Sequence, residues 1–429
     1  MSAGKAWDGI LSSFGSVFTA SSFAVFGRAA TAWVLVPGRR TITRVYQVAE
    51  PLRTRAHDAY HRFFREGVWS MSELWRIAAV LLVGAFCRQG PVPLLTDDTL
   101  FKKSGRRIKG ASWWRDAVAS TGQKTVSAFG LNLVVICSRV DPPWGAEPLA
   151  LPVNARLHGK GGKTPVELAV EMAEEMDSWF PAREFDLTAD GAYASLAGSL
   201  PEGWSLVSRM RRDAALYELA PARKPGTRGR PRKRGDRLDT PEKMALCQKD
   251  RQMAVIDERG KGKERLLADR VVLWYKVSPN LPVRLVISRD PLGKEHDDFF
   301  FTTDLSLSPQ EVVYRYSGRW SIEDTFRNVK QFLGGEDPQS WVGKGPERVA
   351  GFSLVLYSVV WLWYIRTKGN RISWIPTPWY PKKSTPSFLD ALACLRGVLW
   401  RQRLFSTSEK PALLRKNIDT LIGELSRAA

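Results

Sequence analysis

The sequence predicts a mixed α/β protein: one mixed sheet with flanking helices, a β-rich insertion before the last core helix, and helical regions at both ends. Three observations carry this. Between residues 92 and 210, apolar strand-like runs and amphipathic helices follow in the order strand, strand, strand, helix, strand, helix, strand. Residues Asp269–Ile287 and Phe299–Asp304 alternate with the period of strands. Residues 1 to about 88 and the stretch after 366 carry helical patterns.

Composition narrows the class. The chain has 429 residues, 44% of them hydrophobic, which is enough for a large core and excludes a disordered chain. Its formal net charge of +20 points to a polyanionic partner. The four cysteines lie far apart with no Cys-x-x-Cys pair, so neither a disulfide scaffold nor a cysteine-rich zinc site is expected. His57 and His61 stand at i,i+4, but no glutamate follows His57 and no third ligand is evident. The uncharged run Gly9–Gly27 contains nine Ser, Thr or Gly residues and is too polar to span a membrane. Lys5 is the only cation before it and no Ala-x-Ala site follows, so no signal peptide is expected. The 17-residue run Val349–Ile365 reads as a buried helix.

Taken in order, the first 88 residues predict helices over Ala56–Phe64 and Ser72–Phe86, with Thr41 as an N-cap and basic residues throughout. Val92–Thr96 is a short apolar strand ending in Asp97-Asp98-Thr99, where a sheet holds carboxylates rigidly beside an accessible loop. Lys102, Lys103, Arg106, Arg107 and Lys109 follow at once and suit a phosphate backbone. Ala128–Val140 is continuously apolar, as a central strand should be, and Leu149–Leu157 is the next strand. Thr164-Pro165-Val166-Glu167 is a capping box that opens a helix to Phe180. Strand Glu184–Thr188 leads into Asp190-Gly191-Ala192-Tyr193, and Trp204–Met210 is a further strand. Arg223–Arg237 holds eight Lys/Arg against one Asp and predicts a mobile loop. Within it, Arg228 and Arg230 of Arg-Gly-Arg-Pro suit an A·T minor groove or, equally, nonspecific phosphate contact. Ser308-Pro309-Gln310-Glu311 is a second capping box. Pro376–Pro386 reads as a linker, Ser387 to about Leu404 as a helix, and Pro411–Ala428 as another.

The stretch Tyr314–Gly335 holds the densest set of functional side chains. If it is helical throughout, Tyr316, Arg319, Glu323 and Lys330 share one stripe beside the apolar set Ile322, Phe326, Val329 and Leu333, with Gly334 as the stop. A carboxylate flanked by two cations suits a phosphodiester, the carboxylate holding a metal and the cations the phosphate oxygens. A surface helix with i,i+4 salt bridges has the same pattern.

The element order is that of a ribonuclease-H-like sheet, in which the first and fourth strands are neighbours, so that fold analogy places Asp97 opposite Asp190. With these motifs assembled, the chain resembles DDE transposases of bacterial insertion sequences, in the group with a β-strand insertion between the second Asp and the Glu. That group's Tyr-x2-Arg-x3-Glu-x6-Lys signature is met by Tyr316, Arg319, Glu323 and Lys330. Its Asp-x-Thr motif matches Asp97-Asp98-Thr99, and its Asp-x-x-Tyr motif matches Asp190 and Tyr193. Asp98 is the alternative to Asp97 as ligand; the family pattern, with one residue before the Thr, favours Asp97.

The resemblance implies a transposase. Asp97, Asp190 and Glu323 would hold two Mg2+ ions (Mn2+ substituting) for strand cleavage at element ends and strand transfer. Tyr316, Arg319 and Lys330 would grip phosphates, and Trp274 or Trp320 would be candidates to hold an extruded base. It further implies double-stranded DNA as substrate, a homodimer on paired ends, no membrane, and a bacterial cytoplasmic, nucleoid-associated location. The expected organisation is a helical DNA-binding domain (1–88), a catalytic core in two parts (89–215 and 306–366), the basic loop and β-rich insertion (216–305), and a helical C-terminal region (367–429). The alternative is a catalytically inactive transposase-derived DNA-binding protein.

Overall fold

Five helices precede the sheet: α1 (Ala3–Ser12), α2 (Ala20–Leu35), α3 (Ile42–Ala49), α4 (His57–Arg65) and α5 (Met71–Phe86). In this computed structural model the described residues are 2–145, 147–221, 230–247, 250–258, 261–369, 374, 378, 380–405, 421–422 and 425–426. Thr41 caps α3, accepting from the Arg44 backbone N–H at 3.2 Å.

The sheet begins with β1 (Val92–Lys102), β2 (Ser112–Arg115), β3 (Ser127–Val140) and β4 (Leu149–His158). Helix α6 (Pro165–Trp179) follows, opened by the predicted Thr164/Glu167 capping box. Then come β5 (Phe185–Ala189), a 3-10 helix (Gly191–Gly198) and β6 (Trp204–Arg209). The strands β4-β3-β1-β5-β6 lie side by side, β1, β5 and β6 parallel and β3 antiparallel to β1. That is the ribonuclease-H-like plan. The central position of β3 explains its unbroken apolar run, since both of its faces are covered.

The predicted β-rich insertion does not form a separate sheet. Short helix α7 (Pro241–Cys247) leads to β7 (Gln252–Glu258), β8 (Lys261–Val272), β9 (Val283–Arg289) and β10 (Asp298–Thr302). β10 pairs antiparallel with β6, so the insertion extends the core sheet to ten strands. Arg228 lies outside the described residues. In the described part of the basic loop, residues 230–234 are exposed, and Arg234 stands over the Tyr217 and Tyr275 rings at 4.2 and 4.9 Å. The expected linker lies partly, and the expected helix over 411–428 mostly, outside the described residues.

The Ser308/Glu311 capping box opens α8 (Pro309–Ser317), a 3-10 turn covers Gly318–Trp320, and α9 (Ser321–Phe332) continues. α9 ends where predicted: Gly334 adopts φ 59°, and a Cβ there would lie 2.2 Å from Asp337 Oδ2. Helix α10 (Gly345–Lys368) is apolar on all sides. By length and composition it could cross a membrane, yet 94% of its most apolar window is buried inside the protein. The last described helix is α11 (Phe388–Phe405).

The N-terminal helices share the core instead of forming one of their own. A single cluster of buried side chains runs from Trp7, Trp33 and Trp75 to Phe352 and Trp361 of α10. Trp33 donates from its indole to the Leu333 carbonyl at 2.9 Å. Arg348, 2% exposed, donates to the carbonyls of Phe63, Phe64, Gly67 and Trp69. Helix α2 therefore buttresses the end of the helix that carries Glu323, while α1, α4 and α5 pack on α10.

Candidate active site

The parallel register of β1 and β5 places the first two carboxylates together. The last aligned pair is Thr96 with Ala189, so Asp97 and Asp190 are the next residues on neighbouring strands. Asp97 does not end its strand, as the sequence had suggested. β1 runs on to Lys102 because β3 keeps pairing with it, Asp97 opposite Val135. The parallel pairing stops at this level, and that opens the sheet beside Asp97.

Strand alternation separates Asp97 from Asp98. Asp97 shares a face with Phe101, whose ring packs near Lys330 of α9. Asp98 points to the opposite face, where the buried Tyr193 hydroxyl donates to it at 3.4 Å. The Asp-x-x-Tyr motif thus places its tyrosine behind the sheet.

On the Asp97 face, Arg319 joins the carboxylates. Its Nη1 donates to Asp97 Oδ2 at 2.6 Å and its Nη2 to Glu323 Oε1 at 3.0 Å. The Tyr316 hydroxyl donates to Asp190 Oδ1 at 3.3 Å, and Arg319 lies 5.7 Å from the Tyr316 ring centre. The four residues of the signature do not form one regular stripe. The 3-10 turn at Gly318–Trp320 turns 120° per residue in place of 100°, which rotates Arg319 relative to Tyr316 and brings it between Asp97 and Glu323. Gly318 allows this turn to sit on Arg139, whose Nε would lie 3.2 Å from a Cβ there. Arg139 also donates to the Tyr314 hydroxyl at 2.8 Å. Sequence reasoning missed it; its one signal was a cation near the end of an otherwise apolar strand.

Burial dominates the electrostatics. It pushes the Asp97 carboxyl up to about 7 against the pull of Arg319 and of the Asp98 backbone N–H, with the charges of Asp98 and Asp190 adding to the rise. Burial by itself would lower the Arg319 guanidinium, but Asp97, Tyr316, Asp190 and Glu323 together hold it above its ordinary value. Its buried Nε has no hydrogen-bond partner.

The remaining predicted residues lie elsewhere. Lys330 is two helical turns, about 10 Å, beyond Glu323, and packs 5.9 Å from the Phe101 ring centre; burial lowers its pKa. Lys103 was expected to face phosphate but is turned inward. Its ammonium donates to the carbonyls of Gly335, Glu336 and Pro338, and burial pushes its pKa down to about 8. Lys102 pairs with Asp116 at 2.6 Å. Arg230 is exposed. Trp274 is buried against Phe301, whereas Trp320 is 42% exposed on the 3-10 turn that carries Arg319.

Among the described residues, no three His, Cys, Asp or Glu side chains converge closely enough to enclose a metal ion. The donor chemistry nevertheless fits one. Two carboxylates, Asp97 and Glu323, flank the Arg319 guanidinium, and a third, Asp190, is held nearby by the Tyr316 hydroxyl; hard carboxylate oxygens suit Mg2+ or Mn2+. The Arg319 guanidinium now carries the positive charge that such an ion would bring.

A family model described as DDE superfamily endonuclease matches residues 16–264. The matched span includes Asp97 and Asp190 and ends before α8 and α9. No curated protein matches the chain.

Proposed function

Because this chain belongs to the DDE superfamily endonuclease family, whose members act on DNA and generally use divalent metals, we propose that it is a transposase. It cleaves DNA strands at the ends of a mobile element and transfers them into target DNA. The observation that carries this reading is that Tyr316 and Arg319 link Asp190, just after β5, Asp97 on β1 and Glu323 on α9: Tyr316 bonds to Asp190, and Arg319 to Asp97 and Glu323. The reading extends to two copies on paired element ends in the bacterial cytoplasm, with the basic N-terminal region adding DNA contacts.

Asp97, Asp190 and Glu323 would hold the divalent ions. When bound, these ions activate the attacking hydroxyl and stabilise the leaving oxygen of an in-line displacement at phosphorus. The sheet holds Asp97 and Asp190 at fixed spacing, and α9 carries Glu323, which Arg319 bridges to Asp97. Tyr316 orients Asp190 through its hydroxyl. Arg319 has a planar donor edge suited to phosphate oxygens. In the first step water attacks phosphorus and the bond to the 3′ oxygen breaks, leaving a 3′-OH. In the second, that 3′-OH gives up its proton and attacks a target phosphorus; the target's P–O3′ bond breaks, and the target strand leaves with a protonated 3′-OH.

The test is cleavage of a duplex carrying the gene's own flanking ends, in Mg2+ and in EDTA, by wild type and Asp190→Ala. The expected result is metal-dependent release of a 3′-OH at the element boundary, absent in the variant. Tight binding without cleavage in Mg2+ or Mn2+ would instead favour the inactive DNA-binding protein.

Arg319→Ala separates the arginine's two contacts. Charge-assisted hydrogen bonds contribute about 1.5–3 kcal/mol, so cleavage should fall about 10- to 100-fold. Metal affinity, read by calorimetry, should hold or rise, since Arg319 competes for the same carboxylates. A tenfold loss of metal affinity would show that the guanidinium is needed to organise the ligands.

A further inference from the structure

Two loops beyond the end of β1 are stapled to each other away from the carboxylates. Lys103 is 9% exposed and donates to the carbonyls of Gly335, Glu336 and Pro338 at 3.0–3.1 Å. The Lys102 backbone N–H donates to Glu336 Oε1 at 3.0 Å, and the Lys109 N–H to the Trp341 carbonyl at 3.0 Å. Gln339 Oε1 accepts from the Ser104 and Gly105 backbones. A buried ammonium bonded to three carbonyls is a rigid joint, so the two loops form one surface.

That surface has a distinct chemistry. Among the described residues, Trp113 and Trp341 are the only tryptophans more than half exposed, at 60% and 55%. Trp113 lies on the edge strand β2, with its ring edge-on to Phe129 at 5.8 Å, which supports one side of the indole. Over residues 104–130 the only acidic residue is Asp116, and it is buried and paired with Lys102. The exposed charges there are all positive: Arg106, Arg107, Lys109, Arg115 and Lys124. Exposed indoles among these cations, with the second loop's Glu336 and Asp337 half-buried and held by the Lys102 and Arg40 backbone N–H groups, suit a strand whose phosphates and base faces are both accessible. A protein partner with an acidic face would use the cations but leave the rings without stacking partners.

Taking the protein to act on DNA, as above, we propose that this two-loop platform binds an unpaired DNA strand, with Trp113 and Trp341 stacking on its bases. Lys102 lies five residues along β1 from Asp97, a separation of about 17 Å. At the duplex rise of about 3.4 Å per base pair, about five base pairs of paired DNA would span the distance from the cut to the platform. Phosphate contacts here give affinity without sequence preference, and stacking confers the preference for unpaired over paired DNA.

The experiment is fluorescence anisotropy in EDTA with the full chain and two labelled probes: a blunt duplex, and the same duplex with a ten-nucleotide single-stranded tail. Wild type should bind the tailed probe more tightly. Trp113→Ala and Trp341→Ala should each lose about tenfold on the tailed probe and leave the blunt probe unchanged, while Trp113→Tyr restores binding. No change on the tailed probe, or equal losses on both, would overturn the platform and leave the DNA-acting reading standing. Failure of wild type to bind either probe would overturn both.

Discussion

Glu323→Gln should lower metal-dependent strand cleavage by at least about 10^3-fold, with DNA affinity changed by less than about twofold. The substitution keeps the side chain's shape and an oxygen able to accept from Arg319, and removes only the charge. A metal ion that polarises a phosphoryl group contributes several kcal/mol, and 4 kcal/mol corresponds to about 10^3 in rate. The fold should not notice the change. Ile322, Phe326, Val329 and Leu333 anchor α9 in the core, whereas the Glu323 side chain is 35% exposed and bonds to Arg319. This variant is also the most discriminating of the three carboxylates. The family match ends before Glu323, so its assignment rests on the motif and the geometry. Cleavage and end-binding measured on one protein preparation provide the check, and equal loss of both with folding intact would remove Glu323 from the ligand set.

Arg348→Ala should cost about 3–5 kcal/mol of stability, the range for breaking a buried, hydrogen-bonded charge. Arg348 comes from the first turns of α10 and reaches carbonyls at the end of α4 and in the turn that leads to α5. It also stacks 4.0 Å from the Trp69 ring centre. Removing it strips the guanidinium from the Phe64 and Trp69 carbonyls, while those of Phe63 and Gly67 keep the Trp69 indole and backbone N–H as donors. Its pKa is pushed down to about 10 by burial, so it remains charged at neutral pH. Urea unfolding of wild type, Arg348→Ala and Arg348→Lys gives the measurement. A loss below about 1 kcal/mol would mean that water replaces the guanidinium and that the N-terminal helices dock by apolar contact alone. Lysine should recover only part of the stability, because a point-like ammonium cannot match the guanidinium's spread of donors.

What could be read in the chain itself was local or strongly patterned. The capping boxes at Thr164 and Ser308 start α6 and α8 because a side chain and a backbone three residues apart satisfy each other. The apolar runs of β3 and α10 predict burial on every face, and both lie in the interior. The three carboxylate motifs, spaced 93 and 133 residues apart, fall on β1, after β5 and on α9. Alternation along β1 then puts Asp97, and not Asp98, on the side of Arg319.

Other features depended on contacts between distant parts of the chain. Lys102 and Lys103 look alike as members of a basic run, but β1 turns one toward Asp116 and buries the other against the loop after α9. The insertion strands alternate as any strands do; that they extend the core sheet is decided by the pairing of β10 with β6. The first 88 residues look like a domain, yet Trp33 and Arg348 bind them across about 300 residues of sequence to the region around α9 and α10. Arg319 belongs to a motif readable in the sequence, but its place between Asp97 and Glu323 comes from the 3-10 turn and the packing of Gly318 on Arg139. Periodicity and capping act over a few residues, so one chain displays them. Which cation meets which carboxylate depends on register, twist and burial, and these exist only once the sheet and helices have packed.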